Sequence, residues 1–205
     1  MDQDPNLREQ LEHVLWIGGS VCAGKTSIAR LLGARYSVPV YHFDQYERDH
    51  IARGHQSASV LMTPDELWLR PTPEQLAERT IASWTRRFPF VVEDLLSLPA
   101  DGPIVAEGAG FFPEVISPIL SNPHQAIWLV ASPSFLPAMR FARGMGLPGL
   151  TSDPKRVTEN IVARDLLMAY HIRRSAAERG LPVVEVDGRR SLEEVAQIVE
   201  DCFDL

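Results

Sequence analysis

One stretch leaves this chain little freedom in how it folds: Val14-Leu15-Trp16-Ile17, then Gly18-Gly19-Ser20-Val21-Cys22-Ala23-Gly24-Lys25-Thr26-Ser27, then Ile28-Ala29-Arg30-Leu31-Leu32. A short, continuous apolar run bounded by glycines is the pattern of a strand buried on both faces, and the residues after Lys25 suit a helix. Between them, Gly19, Gly24, Lys25 and Thr26 stand at the spacing G-x-x-x-x-G-K-[ST]. Glycines let the backbone curl until successive amides point inward, and the helix that follows adds the positive end of its dipole. A strand, turn and helix of this kind hold polyphosphate. The nucleotide-contacting candidates are therefore Gly19, Ser20, Val21, Cys22, Ala23, Gly24, Lys25, Thr26 and Ser27. Lys25 is expected to reach the β- and γ-phosphate oxygens, and the Thr26 hydroxyl to ligate Mg²⁺. Cys22 is read as a small residue serving the geometry of the loop rather than as a redox switch.

The 205 residues fit a single α/β domain with a modest insertion, and a composition of 45% hydrophobic and 23% charged residues is that of a globular protein. No apolar run approaches the roughly 20 residues that cross a bilayer, and the polar, acidic start MDQDPNLREQLEH is unlike a signal peptide, so a cytoplasmic protein without membrane attachment is expected. Cys22 and Cys202 form no metal-ligand or disulfide framework. A net charge of −7 argues against general nucleic-acid binding. The charge is unevenly spread, however. Residues 140–179 hold eight Lys/Arg against four Asp/Glu.

Apolar runs predict strands at 14–17, 38–42, 104–106, 126–130 and 183–186, with helices between them. The first helix covers 25–36. Thr63-Pro64-Asp65-Glu66 and Thr72-Pro73-Glu74-Gln75 each supply an N-cap, a proline at the first helical position and a capping-box partner, so each starts a helix. The second of these runs to about residue 88, through Leu76, Ile81, Trp84 and Phe88, and a further short helix covers 90–98. Ser191-Leu192-Glu193-Glu194 starts the last one, with Leu192, Val195, Val199 and Cys202 on one face. Strands alternating with helices imply a parallel sheet of five strands with helices on both faces, and a ligand site beyond the strand carboxyl ends. Residues 1–11 read as an N-terminal tail, and Gly144–Gly149 as a hinge.

Two acids fall on that same edge. Asp44 follows the second strand in Tyr41-His42-Phe43-Asp44, where a carboxylate can take the proton of an attacking hydroxyl or help hold Mg²⁺; the competing reading is a helix cap. Glu107 ends the third strand in Ile104-Val105-Ala106-Glu107-Gly108, where it can hold a water of the Mg²⁺ shell. His42, His50 and His55 match no metal-ligand spacing. Glu93 and Asp94 can point into a cleft or lie on an exposed helix face; their spacing does not choose.

The set GGSVCAGKT, HFD and IVAEG resembles the small kinases of the nucleoside-monophosphate-kinase-like group, to which uridine, nicotinamide riboside, shikimate and gluconate kinases belong. The resemblance covers residues 12–44, 103–110 and 125–203. It implies a three-layer α/β fold, ATP and Mg²⁺ as cofactors, and an acid after the second strand as base or metal organiser. It also implies an arginine-bearing lid at 136–165 over the transferred phosphate. Arg140 and Arg143 lie at the start of that lid, and Arg156 and Arg164 in or near the helix returning from it; Arg140 and Arg164 are the catalytic candidates, and Arg143 a nucleotide contact. Asp187, in Asp187-Gly188-Arg189-Arg190, occupies the loop that packs on adenine in such kinases.

The chain lacks the N-K-x-D of a GTPase and a D-x-x-G after the third strand. Residues 45–102 form a helical insertion where the group binds its acceptor, and their size leaves the acceptor unnamed. An aspartate after the second strand favours an alcohol acceptor, since a phosphate acceptor needs no base. Arg48, Arg53 and Arg70 keep a nucleoside-monophosphate acceptor as the alternative, and a non-catalytic ATP-binding sensor is a further one. The chain is expected to act on a small molecule as a monomer or a homodimer; Trp68, Trp84 and residues 111–120 are read as core packing, with a dimer face as the alternative.

Overall fold

The computed structural model describes residues 5–54, 62–144 and 150–205. In chain order the main elements are α1 (Pro5–Gln10), β1 (Val14–Gly19), α2 (Lys25–Tyr36), β2 (Val40–His42), α3 (Glu47–Arg53), α4 (Pro73–Leu96), β3 (Ile104–Glu107) and α5 (Pro113–Ile116). β4 (Ala126–Ala131), α6 (Phe135–Ala142), α7 (Pro154–Glu178), β5 (Val183–Val186) and α8 (Leu192–Phe203) complete it. A 3-10 turn over Phe43–Tyr46 joins β2 to α3, and a π turn covers Asp65–Leu69. Among the described residues no helix is long and apolar enough to cross a membrane.

All strand pairs are parallel, in the order β2-β3-β1-β4-β5. The chain leaves β1 toward one edge of the sheet and later returns toward the other. Right-handed crossovers then put α2 on one face and α4 and α7 on the opposite face, and α8, after the last strand, packs against α2. The central strands are apolar because both of their faces are covered: Val14, Trp16, Ile17 and every residue of β3 and β4 are buried. Glu107 is the charged exception. It sits at the end of β3 in register with Ile17 of β1 and His42 of β2.

Four expectations change. Pro5–Gln10 is a helix whose Leu7 packs on the core, and Leu11 beyond it is fully buried, so residues 5–11 are not a tail. The helix starting at Thr72 does not stop at 88 to be followed by another over 90–98: α4 continues through Pro89 to Leu96. Buried Phe88, Val91 and Leu95 keep one apolar stripe in register across the proline, and that burial outweighs the lost helical hydrogen bond. The capping box at Thr63 forms, with Glu66 Oε2 accepting from the Thr63 amide at 2.9 Å, but it opens only the five-residue π turn. In α8, Val195, Val199 and Phe203 are buried, while Leu192 is exposed. Residues 145–149 of the expected hinge, and His55, lie outside the described residues.

Candidate active site

The loop between β1 and α2 departs from the sheet at Gly19, whose φ of 130° lies outside the range of L side chains; a Cβ there would stand 1.9 Å from the Leu129 carbonyl oxygen. The loop is tied to β4 at two points. The Ser20 amide donates to the Leu129 carbonyl at 3.0 Å, and the Ser20 hydroxyl accepts from the Ala131 amide at 2.8 Å. Cys22 takes a left-handed φ of 61° and is buried, and Gly24 caps the N-terminus of α2 with φ 83°. Ala23 is buried against the core and Ser27 is exposed on the first turn of α2.

Lys25 folds back over this loop. Its Nζ donates to the Ser20 carbonyl at 2.7 Å, and the side chain is almost wholly buried. Burial holds its pKa below the ordinary lysine value; Glu107, Asp44 and Cys22 pull the other way, and Arg143 adds to the depression. A desolvated ammonium bonded to a neutral carbonyl is a cation short of an anionic partner.

The next residue meets the end of β3. The Thr26 hydroxyl donates to Glu107 Oε1 at 3.1 Å, and His42 Nδ1 lies 2.7 Å from the same oxygen. Both contacts fall on Oε1, so Oε2 remains for a water of a cation's shell. Thr26, Glu107 and Asp44 are hard oxygen donors of the kind Mg²⁺ takes, and the set fits that ion.

Asp44 stands on the 3-10 turn after β2. It does not cap α3, since neither that helix nor the turn has a side-chain cap. Its carboxylate reaches solvent, yet the crowding around it raises its pKa above the ordinary aspartate value; Lys25 opposes this rise and Glu107 adds to it. The mutual influence of Lys25, Asp44 and Glu107 means that the structure gathers all three at one end of the sheet.

The arginines divide. Arg164 is buried and gives both Nε (2.9 Å) and Nη2 (2.6 Å) to Oδ1 of its neighbour Asp165. Arg140 Nε lies 3.2 Å from Asp165 Oδ2, close enough for charge attraction but not aligned as a hydrogen bond. Asp165 also lines a narrow crevice with Gly19, Ser20 and Val21. Two guanidinium groups thus share one carboxylate beside the β1–α2 loop. Arg143 is exposed and near enough to influence Lys25, and Arg156 is exposed on the first turn of α7. The Asp187 carboxylate is taken up within its own loop, accepting from the Arg189 amide at 3.0 Å.

Sequence reasoning missed Asp165 and the role of His42 in orienting Glu107. His42 stood in the motif HFD, and its register opposite Glu107 was the signal; Asp165 carried none beyond being an acid among arginines.

No protein-family model matches this chain, and no curated protein matches it in sequence. Solved structures do. A protein of Thermus thermophilus superposes with a TM-score of 0.53 at 17% identity, over 92% of this chain and 96% of its own. Shikimate kinase from Bacteroides thetaiotaomicron gives 0.51 at 16% identity, over 94% and 98%. Shikimate kinase from Acinetobacter baumannii, in complex with shikimate, gives 0.50 at 16% identity, over 96% and 97%. At this identity the likeness is one of fold: a five-stranded parallel sheet wrapped by helices.

Proposed function

We propose that the protein is an ATP- and Mg²⁺-dependent phosphotransferase acting on a hydroxyl group of a small metabolite or nucleoside. The observation that carries this reading is the convergence of Lys25, the Thr26–Glu107 pair and Asp44 at one end of the sheet. The amides of the β1–α2 loop and Lys25 bind the phosphates, whose negative charge answers the desolvated ammonium. Thr26 and, through water, Glu107 and Asp44 would hold Mg²⁺, which supplies charge neutralisation on the phosphate oxygens. Asp44 takes the proton of the acceptor hydroxyl as its oxygen attacks, and the crowding that raises its pKa makes it a better base than an ordinary carboxylate. Arg140 and Arg164 share the single charge of Asp165 beside the loop, and the cation left over meets the charge of the transferred group.

The runner-up, a phosphate acceptor, relied on Arg48, Arg53 and Arg70. Arg53 is engaged by three carboxylates, Asp49, Glu93 and Asp94, whereas Arg48 is exposed and Arg70 makes one exposed 3.4 Å pair with Glu66, so the arginines alone do not choose between the acceptors. The carboxylate of Asp44, a base that a phosphate acceptor would not need, favours the alcohol. The deciding measurement is ADP release from Mg-ATP across nucleosides, nucleoside monophosphates, sugars, sugar acids and hydroxylated antibiotics, with Lys25→Ala as control. A Lys25-dependent signal with a hydroxyl compound is expected. A signal confined to monophosphates would favour the runner-up, and silence together with ATP binding would favour a sensor.

A further inference from the structure

Asp44 is held by contacts that none of the phosphate-site residues supply. Phe43, immediately before it, is fully buried, and its ring fills the space that side chains at Gly108 and Gly110 would need: a Cβ at either would come within 2.5 Å of Phe43. On α4, Arg87 is 1% exposed and lays its guanidinium 3.7 Å from the centre of that ring. Arg87 Nη2 donates to the Phe43 carbonyl, the peptide that leads into Asp44, at 2.8 Å. Nη1 lies 3.4 Å from Glu47 at the start of α3, and Nε makes a long 3.4 Å bond to Nδ1 of fully buried His50.

The grip continues beyond His50. With Nδ1 accepting from Arg87, the proton of a neutral His50 ring sits on Nε2, which donates to Asp94 Oδ2 at 2.7 Å. That same oxygen accepts from the Tyr41 hydroxyl at 2.8 Å, and Oδ1 accepts from Arg53 at 2.6 Å. Tyr41 belongs to β2, next to the His42 that orients Glu107. The network therefore ties α4 to both ends of the segment 41–50. It is also a poor device for stability alone, because Arg87 gives up its hydration while its carboxylate partner Glu47 stays half exposed at 3.4 Å. What such a network confers is a fixed geometry, and the charge of Arg87 reaches the Asp44 carboxylate.

We propose that Arg87 is a positioning residue for phosphoryl transfer: by clamping the ring and carbonyl of Phe43 it aims the Asp44 carboxylate toward the phosphate loop. The role rests on the reading of Asp44 as the base, and the experiment separates the two. Arg87→Met and Arg87→Lys are made in the wild-type chain and in Asp44→Asn, and followed by amide hydrogen exchange, Mg-ATP affinity and, with the acceptor found above, kcat and KM. Met is expected to speed exchange of amides 44–50 by about tenfold or more while β1 and β4 keep their protection. It is expected to lower kcat about a hundredfold, as displacement of a catalytic group by an ångström does, with KM for ATP within about threefold. Lys, which keeps the charge and one donor, recovers part of the loss. In the Asp44→Asn background Arg87→Met costs nothing further.

Exchange unchanged at 44–50, or raised evenly along the chain, overturns the clamp, and the milder Lys variant decides this if the Met variant does not fold. A kcat loss that adds in full to that of Asp44→Asn overturns action through Asp44. Turnover by Asp44→Asn at the wild-type rate, or none by the wild-type chain with any acceptor, removes the reading of Asp44 as the base and the catalytic role of Arg87 with it. Hydrogen exchange at 44–50 still decides, in either case, whether Arg87 clamps the segment.

Discussion

Asp44 carries opposite demands on activity and stability. Its carboxyl has a higher pKa folded than unfolded, chiefly from burial, so the folded state binds that proton more tightly. Stability then falls as pH rises through the window above 3.8 and stays lowered at neutral pH. Asp44→Asn is expected to lower kcat about 10²–10⁴-fold while the binding of metal-free ATP is unchanged. At pH 7 it should raise Tm slightly, on the order of 1 °C once solvent access is allowed for. The acid limb of the wild-type pH–rate profile, set by the ionised base, should lie above the ordinary aspartate range. Kinetics and melting of the one variant check all of this; lower activity with a lower Tm would mean that Asp44 is a structural carboxylate. The HFD motif named the residue, but its two neighbours differ in how they could be known. His42 faces Glu107 by strand register, which follows once the strands are paired, whereas Arg87 meets Phe43 only because α4 packs beside α3 and the turn that follows β2.

Among the elements, α4 shows where local rules yield. Its start was legible, since the Thr72 capping box forms with the Thr72 hydroxyl accepting from the Gln75 amide at 3.3 Å and the Gln75 side chain accepting from the Thr72 amide at 3.0 Å. Its end was not, because Pro89 carries no N–H for the Thr85 carbonyl and reads as a stop. Phe88, Val91 and Leu95 hold the helix to its buried stripe regardless. The proline is exposed, so replacing it removes a backbone penalty without opening a cavity. Pro89→Ala should stabilise the chain by about 1–3 kcal/mol, seen as a higher denaturation midpoint at unchanged slope. No gain would mean that the helix bends at Pro89 to serve the packing.

At the scale of the whole molecule, one end of the sheet collects a buried lysine bonded to a carbonyl, the acids Asp44 and Glu107, and an arginine pair on Asp165, and on the proposed reading a phosphate chain supplies the anion that the lysine lacks. Mg-ATP at a hundred times its Kd should therefore add about 2.7 kcal/mol to the folded state and raise Tm by roughly 5–10 °C, and Lys25→Ala should remove most of that shift. A melting curve indifferent to Mg-ATP would overturn the nucleotide site itself. The sequence by itself determined the strands, the phosphate loop and the caps of α4 and α8. Each of these is written in a window of a few residues, through apolar run length, glycine spacing and capping pairs. Only the tertiary structure decided that Arg140 and Arg164 meet on Asp165, that Asp94 turns inward to Tyr41, His50 and Arg53, and that Arg87 lies beneath Phe43. Those contacts join residues on different elements, and their geometry follows from how the helices cross the sheet, which local patterns do not encode.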